Sequence, residues 1–240
     1  MAVPRQIIAF GGGGFSMESS SALDDYVLAA ARETTPRVCF LPTASTDSAE
    51  YVVRFYRTFS ERDCIPYDAT VVGSLERQPH SDGELAEFLA AMDVIYVGGG
   101  HTVNMLALWR AHGVDRALRA AWQGGTVLAG LSAGMICWFE CSVTDSFGPL
   151  AELRDGLSLI AGSACPHYDS EAERRPVYQA LVANGFPAGY AADDGVALHF
   201  VDDALHAVVS SRPNAAAYRV ELVDGRVSET ALATRYLGDQ

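Results

Sequence analysis

The sequence predicts an α/β protein built as a three-layer sandwich, with a mostly parallel central sheet covered by helices on both faces. Short apolar runs of strand length recur along the chain, helical patterns separate several of them, and glycines cluster at the carboxyl ends of the runs. Its 240 residues, 49% hydrophobic and 20% charged, suit one domain with a sizeable core. No repeat, low-complexity tract or Pro/Ser-rich linker marks a boundary, so a single domain over residues 1–240 is expected.

The strand-like runs lie at 6–10, 37–41, 70–72, 94–97, 127–129, 196–200 and 207–210. Helical patterns lie at about 20–32, 48–61, 83–91, 103–121, 133–140 and 171–184. Continuous apolarity at 95–97 and 127–129 suits strands buried on both faces, as in parallel sheets. In the last third, turn-like segments at 201–203, 212–214 and 223–226 separate short strands, which reads as a short antiparallel extension of the sheet.

Composition excludes several classes. A net charge of −13 without a Lys/Arg cluster leaves no footing for nucleic acid or anionic lipid. Five scattered cysteines, an odd number, do not make a disulfide framework and fit a reducing compartment. Cys137 and Cys141 stand four apart on the pattern read as a helix, but two further soft ligands at zinc spacing are missing. The amino-terminal apolar stretch is too short for a signal h-region, and no run reaches the roughly 18 apolar residues that span a bilayer. A cytoplasmic protein without membrane partners is expected.

The sharpest chemical motif is Gly130-Leu131-Ser132-Ala133-Gly134, placed between an apolar strand and a helical pattern. A serine on a tight strand-to-helix turn, flanked by small residues, is presented at the sheet edge as a nucleophile. It needs a base within hydrogen-bond reach and an acid to orient that base. Among six histidines, His167 in Cys165-Pro166-His167 is the best-placed base, because the X-Pro step holds the chain extended before it. His80, His112 and His206 lie in polar or helix-end contexts, whereas His199 and His101 are candidates for substrate contact. For the acid, Asp145 competes with the pair Asp193-Asp194, and spacing alone leaves the choice open.

Two glycine runs flank this chemistry. Gly98, Gly99 and Gly100 follow a buried strand and precede His101 and Thr102, where a helix begins. Such a run leaves backbone N–H groups free to hold an oxyanion, and the Lys-[Ser/Thr] of a phosphate loop is absent. The run 11–14 lacks dinucleotide-binding spacing, so Gly12 and Gly13 read as a tight turn lining the pocket.

These motifs, with Phe40-Leu41-Pro42-Thr43-Ala44-Ser45, Gly98-Gly99-Gly100-His101-Thr102 and Pro166-His167, together resemble peptidase E (aspartyl dipeptidase) and its relative cyanophycinase. The resemblance covers residues 6 to about 220 and implies a class I glutamine-amidotransferase-like fold with serine in place of cysteine. It implies Ser132 as nucleophile, His167 as general base, and oxyanion donors from Gly99, Gly100 and the Ala133 N–H. For the acid it favours Asp194, matching an acidic residue before glycine, with Asp145 as a pocket or alternative triad residue. His101, Thr102, Gly12 and Gly13 would line the substrate site. The implied substrates are small peptides, Asp-Xaa dipeptides among them, with no metal or organic cofactor, acting as monomer or homodimer. The rivals are a cyanophycinase-like or esterase-type hydrolase without Asp specificity, and a catalytically silent small-molecule-binding protein. For an acidic substrate the basic candidates near the motifs are Arg54, Arg110, Arg154, Arg174 and Arg175.

Overall fold

Residues 3–18, 21–71 and 82–238 are described in a computed structural model, and they form two sheets. In the larger sheet, β1 (Gln6–Phe10), β2 (Arg37–Leu41), β3 (Ile65–Asp68), β4 (Val94–Val97) and β5 (Val127–Leu131) run parallel. The chain then enters the smaller sheet with β6 (Phe139–Thr144), β7 (Ala151–Leu153), β8 (Ile160–Cys165) and β9 (Gly189–Ala192). It returns to the larger one with β10 (Val196–Val201), antiparallel to β1, and β11 (Ala204–Ser210). The hairpin β12 (Ala217–Val223) and β13 (Arg226–Ala231) completes the smaller sheet, and β14 (Arg235–Tyr236) edges the larger. The spatial orders are β14-β11-β10-β1-β5-β4-β2-β3 and β13-β12-β9-β8-β6-β7.

Period-two alternation divides each central strand between two cores. On β1, Ile8 and Phe10 pack with Leu23 and Val27 of α1 (Ala22–Ala30) and with Phe55 and Phe59 of α2 (Ala49–Phe59). Ile7 and Ala9 face the opposite core, which is filled from α3 (Asp82–Ala90), α4 (Thr102–His112), α5 (Val114–Gln123) and α6 (Ala133–Ile136). Phe139, Ala164 and Ala192 of the smaller sheet join that same core, so the two sheets are welded through apolar contact. The far face of the smaller sheet buries Cys141, Val143 and Val220 against Tyr178 and Val182 of α7 (Arg174–Ala183).

Three elements differ from the sequence-based expectation. The third strand lies at Ile65–Asp68 instead of 70–72, and position 72 is outside the described residues. β3 is an edge strand, where Pro66 can lack its N–H without breaking a ladder. The pattern at 103–121 is two helices, broken where Gly113 adopts a left-handed φ of 71°. The pattern at 133–140 is a helix only to Ile136, after which the chain extends into β6, so Cys137 and Cys141 do not share a helix. Strands β10 to β13 pair antiparallel, as expected, but β12 pairs with β9 in the second sheet, and β14 runs parallel to β11. All five cysteines are free, and no helix among the described residues is long and apolar enough to cross a membrane.

One buried carboxyl braces the loop after β1. Asp24 is fully buried and accepts a hydrogen bond from the Tyr96 hydroxyl at 3.1 Å, beside Gly14. Burial pushes its carboxyl up to about 7, against the opposing pull of the Arg62 charge and the Tyr96 hydrogen bond. Because the folded value lies above the ordinary 3.8, folding favours the protonated form. That contribution is complete at acid pH and is lost as pH rises through neutrality. Urea titrations should therefore show Asp24→Asn gaining stability relative to the parent as pH goes from about 5 to about 8. A difference that stays flat with pH would mean that Asp24 is already charged in the folded protein.

Candidate active site

The carboxyl end of β1 organises the site. Three consecutive carbonyls, those of Phe10, Gly11 and Gly12, accept the amide hydrogens of Ser132 (3.1 Å), His167 (3.1 Å) and Gly195 (3.0 Å). Each donor belongs to a different segment: the end of β5, the turn after β8, and the crossing from β9 to β10. A parallel bridge between Gly12 and Asp194 completes the arrangement. One short stretch of backbone thus brings together Ser132, His167 and Asp194.

Ser132 links β5 to the single turn α6 with φ 54° and ψ −113°, a left-handed conformation that costs a non-glycine residue of order 1–3 kcal/mol. The flanking glycines make that bend possible. A Cβ on Gly130 would overlap the Gly134 carbonyl, and one on Gly134 would overlap that of Val97. Leu131 and Ala133 are buried, while Ser132 remains partly accessible.

The Ser132 hydroxyl lies 2.8 Å from His167 Nε2, and His167 Nδ1 lies 2.7 Å from Asp194 Oδ1. Burial by itself would raise the Asp194 carboxyl, which is 6% exposed. Hydrogen bonds from His167 and Ser170 and the charges of His167 and Arg212 outweigh burial and hold it below the ordinary carboxylate value. An ionised Asp194 fixes the proton on Nδ1, which leaves Nε2 as acceptor for the Ser132 O–H. Gly12 is what lets the carboxylate approach, because a Cβ there would overlap Asp194 Oδ1 and press on the imidazole.

Two further residues escaped sequence reasoning. Asp169 Oδ1 accepts the Asp194 N–H at 2.8 Å, and its Oδ2 accepts from Arg212 at 3.0 Å. The same Arg212 nitrogen donates to the Asp194 carbonyl at 3.0 Å. This clamp fixes the backbone that carries the acid. Its only sequence signals were an aspartate two residues after His167 and an arginine in a segment read as a turn.

The remaining candidates divide. Asp145 sits in an exposed turn after β6, its carbonyl accepting the Gly148 N–H, while Asp194 occupies the far nitrogen of His167. Asp193 points away, with Oδ2 accepting the Ala216 N–H at 3.0 Å. In the glycine run, the N–H groups of Gly98 and His101 are spent on Leu41 and Ala44 carbonyls. The Gly99 N–H faces the Tyr51 hydroxyl at 3.4 Å, and a Cβ on Gly99 would lie 3.3 Å from the Ser132 Cβ. Gly100 follows with φ 138°, and Ala133, as first residue of α6, has no intrahelical acceptor for its N–H. His101 caps α4, its Nδ1 accepting the Asn104 N–H at 3.2 Å, and Thr102 is only 2% exposed. Gly13, with φ 100°, packs against Gly195 on the Asp194 side. His199 is a core residue held between the Tyr26 hydroxyl and Gln6, and burial pushes its imidazole down to about 4. His80 lies outside the described residues.

Residues 7–208 match peptidase family S51, and the chain belongs to that family: it is a serine-type peptidase. It is 53% identical over 236 residues to the "Uncharacterized peptidase YgaJ" of Bacillus subtilis (strain 168), covering 98% of this chain and all of that one. A second relative, "Uncharacterized peptidase Lmo0363" of Listeria monocytogenes serovar 1/2a, is 30% identical over 139 residues, covering 55% of this chain and 66% of its own. Among solved structures, a peptidase from an acI-B1 actinobacterium aligns with a TM-score of 0.69 at 16% identity, covering 97% of this chain and 96% of that one. A Listeria monocytogenes EGD-e protein described as a peptidase E aligns with a TM-score of 0.61 at 20% identity, covering 88% and 99%. The fold is therefore the class I glutamine-amidotransferase-like fold of the peptidase E structures.

The close approach at Gly12 is directly testable. In Gly12→Ala the added methyl should drive the carboxylate from His167 Nδ1, so the far-downfield imidazole proton expected in the parent's NMR spectrum disappears while the far-UV circular dichroism holds. Persistence of that resonance would show that the loop yields instead.

Proposed function

We propose that Ser132, His167 and Asp194 act as the catalytic triad of a peptidase that cleaves small peptides, Asp-Xaa dipeptides among them. The observation that carries this reading is the continuous hydrogen-bond chain from hydroxyl to imidazole to carboxylate, at 2.8 and 2.7 Å. His167 Nε2 takes the Ser132 proton as Oγ attacks the peptide carbonyl. Asp194 keeps the imidazole in the right tautomer and stabilises the imidazolium that forms. The imidazolium then protonates the departing amine, and a second round with water frees the acid and restores the serine.

Negative charge that develops on the carbonyl oxygen needs donors fixed in advance. The Ala133 N–H and the Gly99–Gly100 backbone beside Ser132 are the donors we assign. Because α6 is a single turn, it offers an individual N–H and not a long helix dipole. The Gly99 N–H is held by Tyr51 only at 3.4 Å, a weak contact that a substrate oxyanion displaces readily.

Two measurements test the triad. A fluorophosphonate should label Ser132 in the parent and fail to do so in His167→Ala. Asp194→Asn, which keeps the shape but favours the wrong tautomer, should lower kcat on an aminoacyl anilide by roughly 10³- to 10⁴-fold, whereas Asp145→Asn should stay near the parent. An equal loss in Asp145→Asn would move the acid to that residue, and a preference for short acyl esters over anilides would turn the reading towards an esterase.

A further inference from the structure

Both backbone polar groups of Asp194 are held by charged side chains. Asp169 Oδ1 accepts its N–H at 2.8 Å, and Arg212 donates to its carbonyl at 3.0 Å. The same Arg212 nitrogen reaches Asp169 Oδ2 at 3.0 Å, which closes the pair around residue 194. The residues on either side use neutral partners. The Asp193 N–H donates to the Ala216 carbonyl at 3.1 Å, and the Gly195 carbonyl accepts the Ser211 N–H at 2.9 Å.

Those neutral bonds already hold the crossing from β9 to β10 in place. The segment that makes them is itself fixed by the buried Ser210, whose hydroxyl accepts the Arg212 N–H at 3.0 Å and donates to the Arg212 carbonyl at 2.7 Å. An ion pair with side chains 48% and 28% exposed, as Arg212 and Asp169 are, contributes little to stability. What this pair adds is a connection. Asp169 stands two residues after His167, on the turn whose His167 N–H is bonded to the Gly11 carbonyl. The pair therefore ties the acid to the turn that carries the base. Gly195 admits the arginine stem, since a Cβ there would lie 2.8 Å from Arg212 Cδ.

The pair also places one charge of each sign beside the acid. The other charged groups around this crossing are His167, hydrogen-bonded to Asp194, Asp193 beside it in the chain, and Glu18, whose carboxylate accepts the Ser211 hydroxyl at 2.8 Å. Burial opposes ionisation of Asp194, and the Arg212 charge acts with His167 and Ser170 to overcome it. Resting on the reading of Ser132, His167 and Asp194 as a triad, we propose that Asp169 and Arg212 are positioning residues of this reaction. They lock the Asp194 carboxylate to the turn that carries His167, and they set, with opposite signs, the pH at which the His167–Asp194 couple takes up a proton.

The test uses the full chain with an aminoacyl anilide, comparing the parent with Arg212→Gln, Arg212→Lys and Asp169→Asn. Each protein is first titrated to completion with a fluorophosphonate, so that kcat is expressed per reactive serine and loss of folded protein is counted separately. In Arg212→Gln, kcat should fall by about 10- to 100-fold with KM nearly unchanged. Arg212→Lys, which keeps the charge but not the paired N–H geometry, should recover part of kcat. The acid limb of kcat/KM against pH should move up by about one unit in Arg212→Gln, because removing a positive charge eases proton uptake. It should move down in Asp169→Asn, which keeps an acceptor for the Asp194 N–H but loses the negative charge, and stay at the parent's position in Arg212→Lys. A purely structural pair would lower the labelled fraction without moving the limb. Should Arg212→Gln fail to fold, the direction of the shift in Asp169→Asn decides. An acid limb common to the parent and every folded variant, or a kcat deficit that vanishes per labelled serine, would overturn the assignment. A parent that takes no label would instead overturn the nucleophile reading on which it rests.

Discussion

The site depends on the backbone at the end of β1. The carbonyls of residues 10, 11 and 12 each hold one of the segments that bring Ser132, His167 and Gly195 together. With the three amides fixed, the His167 imidazole falls between the Ser132 hydroxyl and the Asp194 carboxylate. The glycines at 11 and 12 follow from this constraint. Substituents there would strike the Ala192 and Asp193 carbonyls or the Asp194 carboxylate itself. A run that carries no nucleotide-binding spacing is instead the surface on which the second sheet's contributions are laid.

Neighbouring aspartates show how local surroundings assign roles. Burial raises the Asp193 carboxyl against the opposing pull of the hydrogen bond that its Oδ2 accepts from the Ala216 N–H. Asp194, one residue on, is equally withdrawn from water, yet it meets an imidazole, a hydroxyl and the field of Arg212, and its carboxyl is lowered. Identical side chains in sequence therefore do different work, because the crossing between sheets points one toward the β12 entrance and the other toward His167.

Much of this was legible in the sequence. Strands β1, β2 and β4 were bounded as the structure has them, and the motif around Ser132 announced a strand, a sharp bend and a helix. The second sheet was not legible. Gly162 stands inside β8 and Gly189 begins β9, and the apolar stretch from Cys137 to Phe139 has no period that separates helix from strand. Spacing alone left the choice between Asp145 and Asp193-Asp194 open, since it rests on how far apart in space two loops finish, and only the family resemblance favoured Asp194. The Asp169–Arg212 clamp joins positions 43 residues apart and leaves no local pattern at all.

The apolar weld between the sheets has a consequence for how the protein fails. Ser132 is anchored on one sheet and His167 on the other, so the distance between them gauges the seam. If Ser132, His167 and Asp194 act as proposed, loosening that seam by a fraction of an ångström breaks the hydrogen-bond chain between hydroxyl and imidazole while nearly every helix and ladder bond survives. Mild chaotropes should therefore silence turnover well before they melt secondary structure, making enzymatic output the most sensitive strain gauge the molecule possesses.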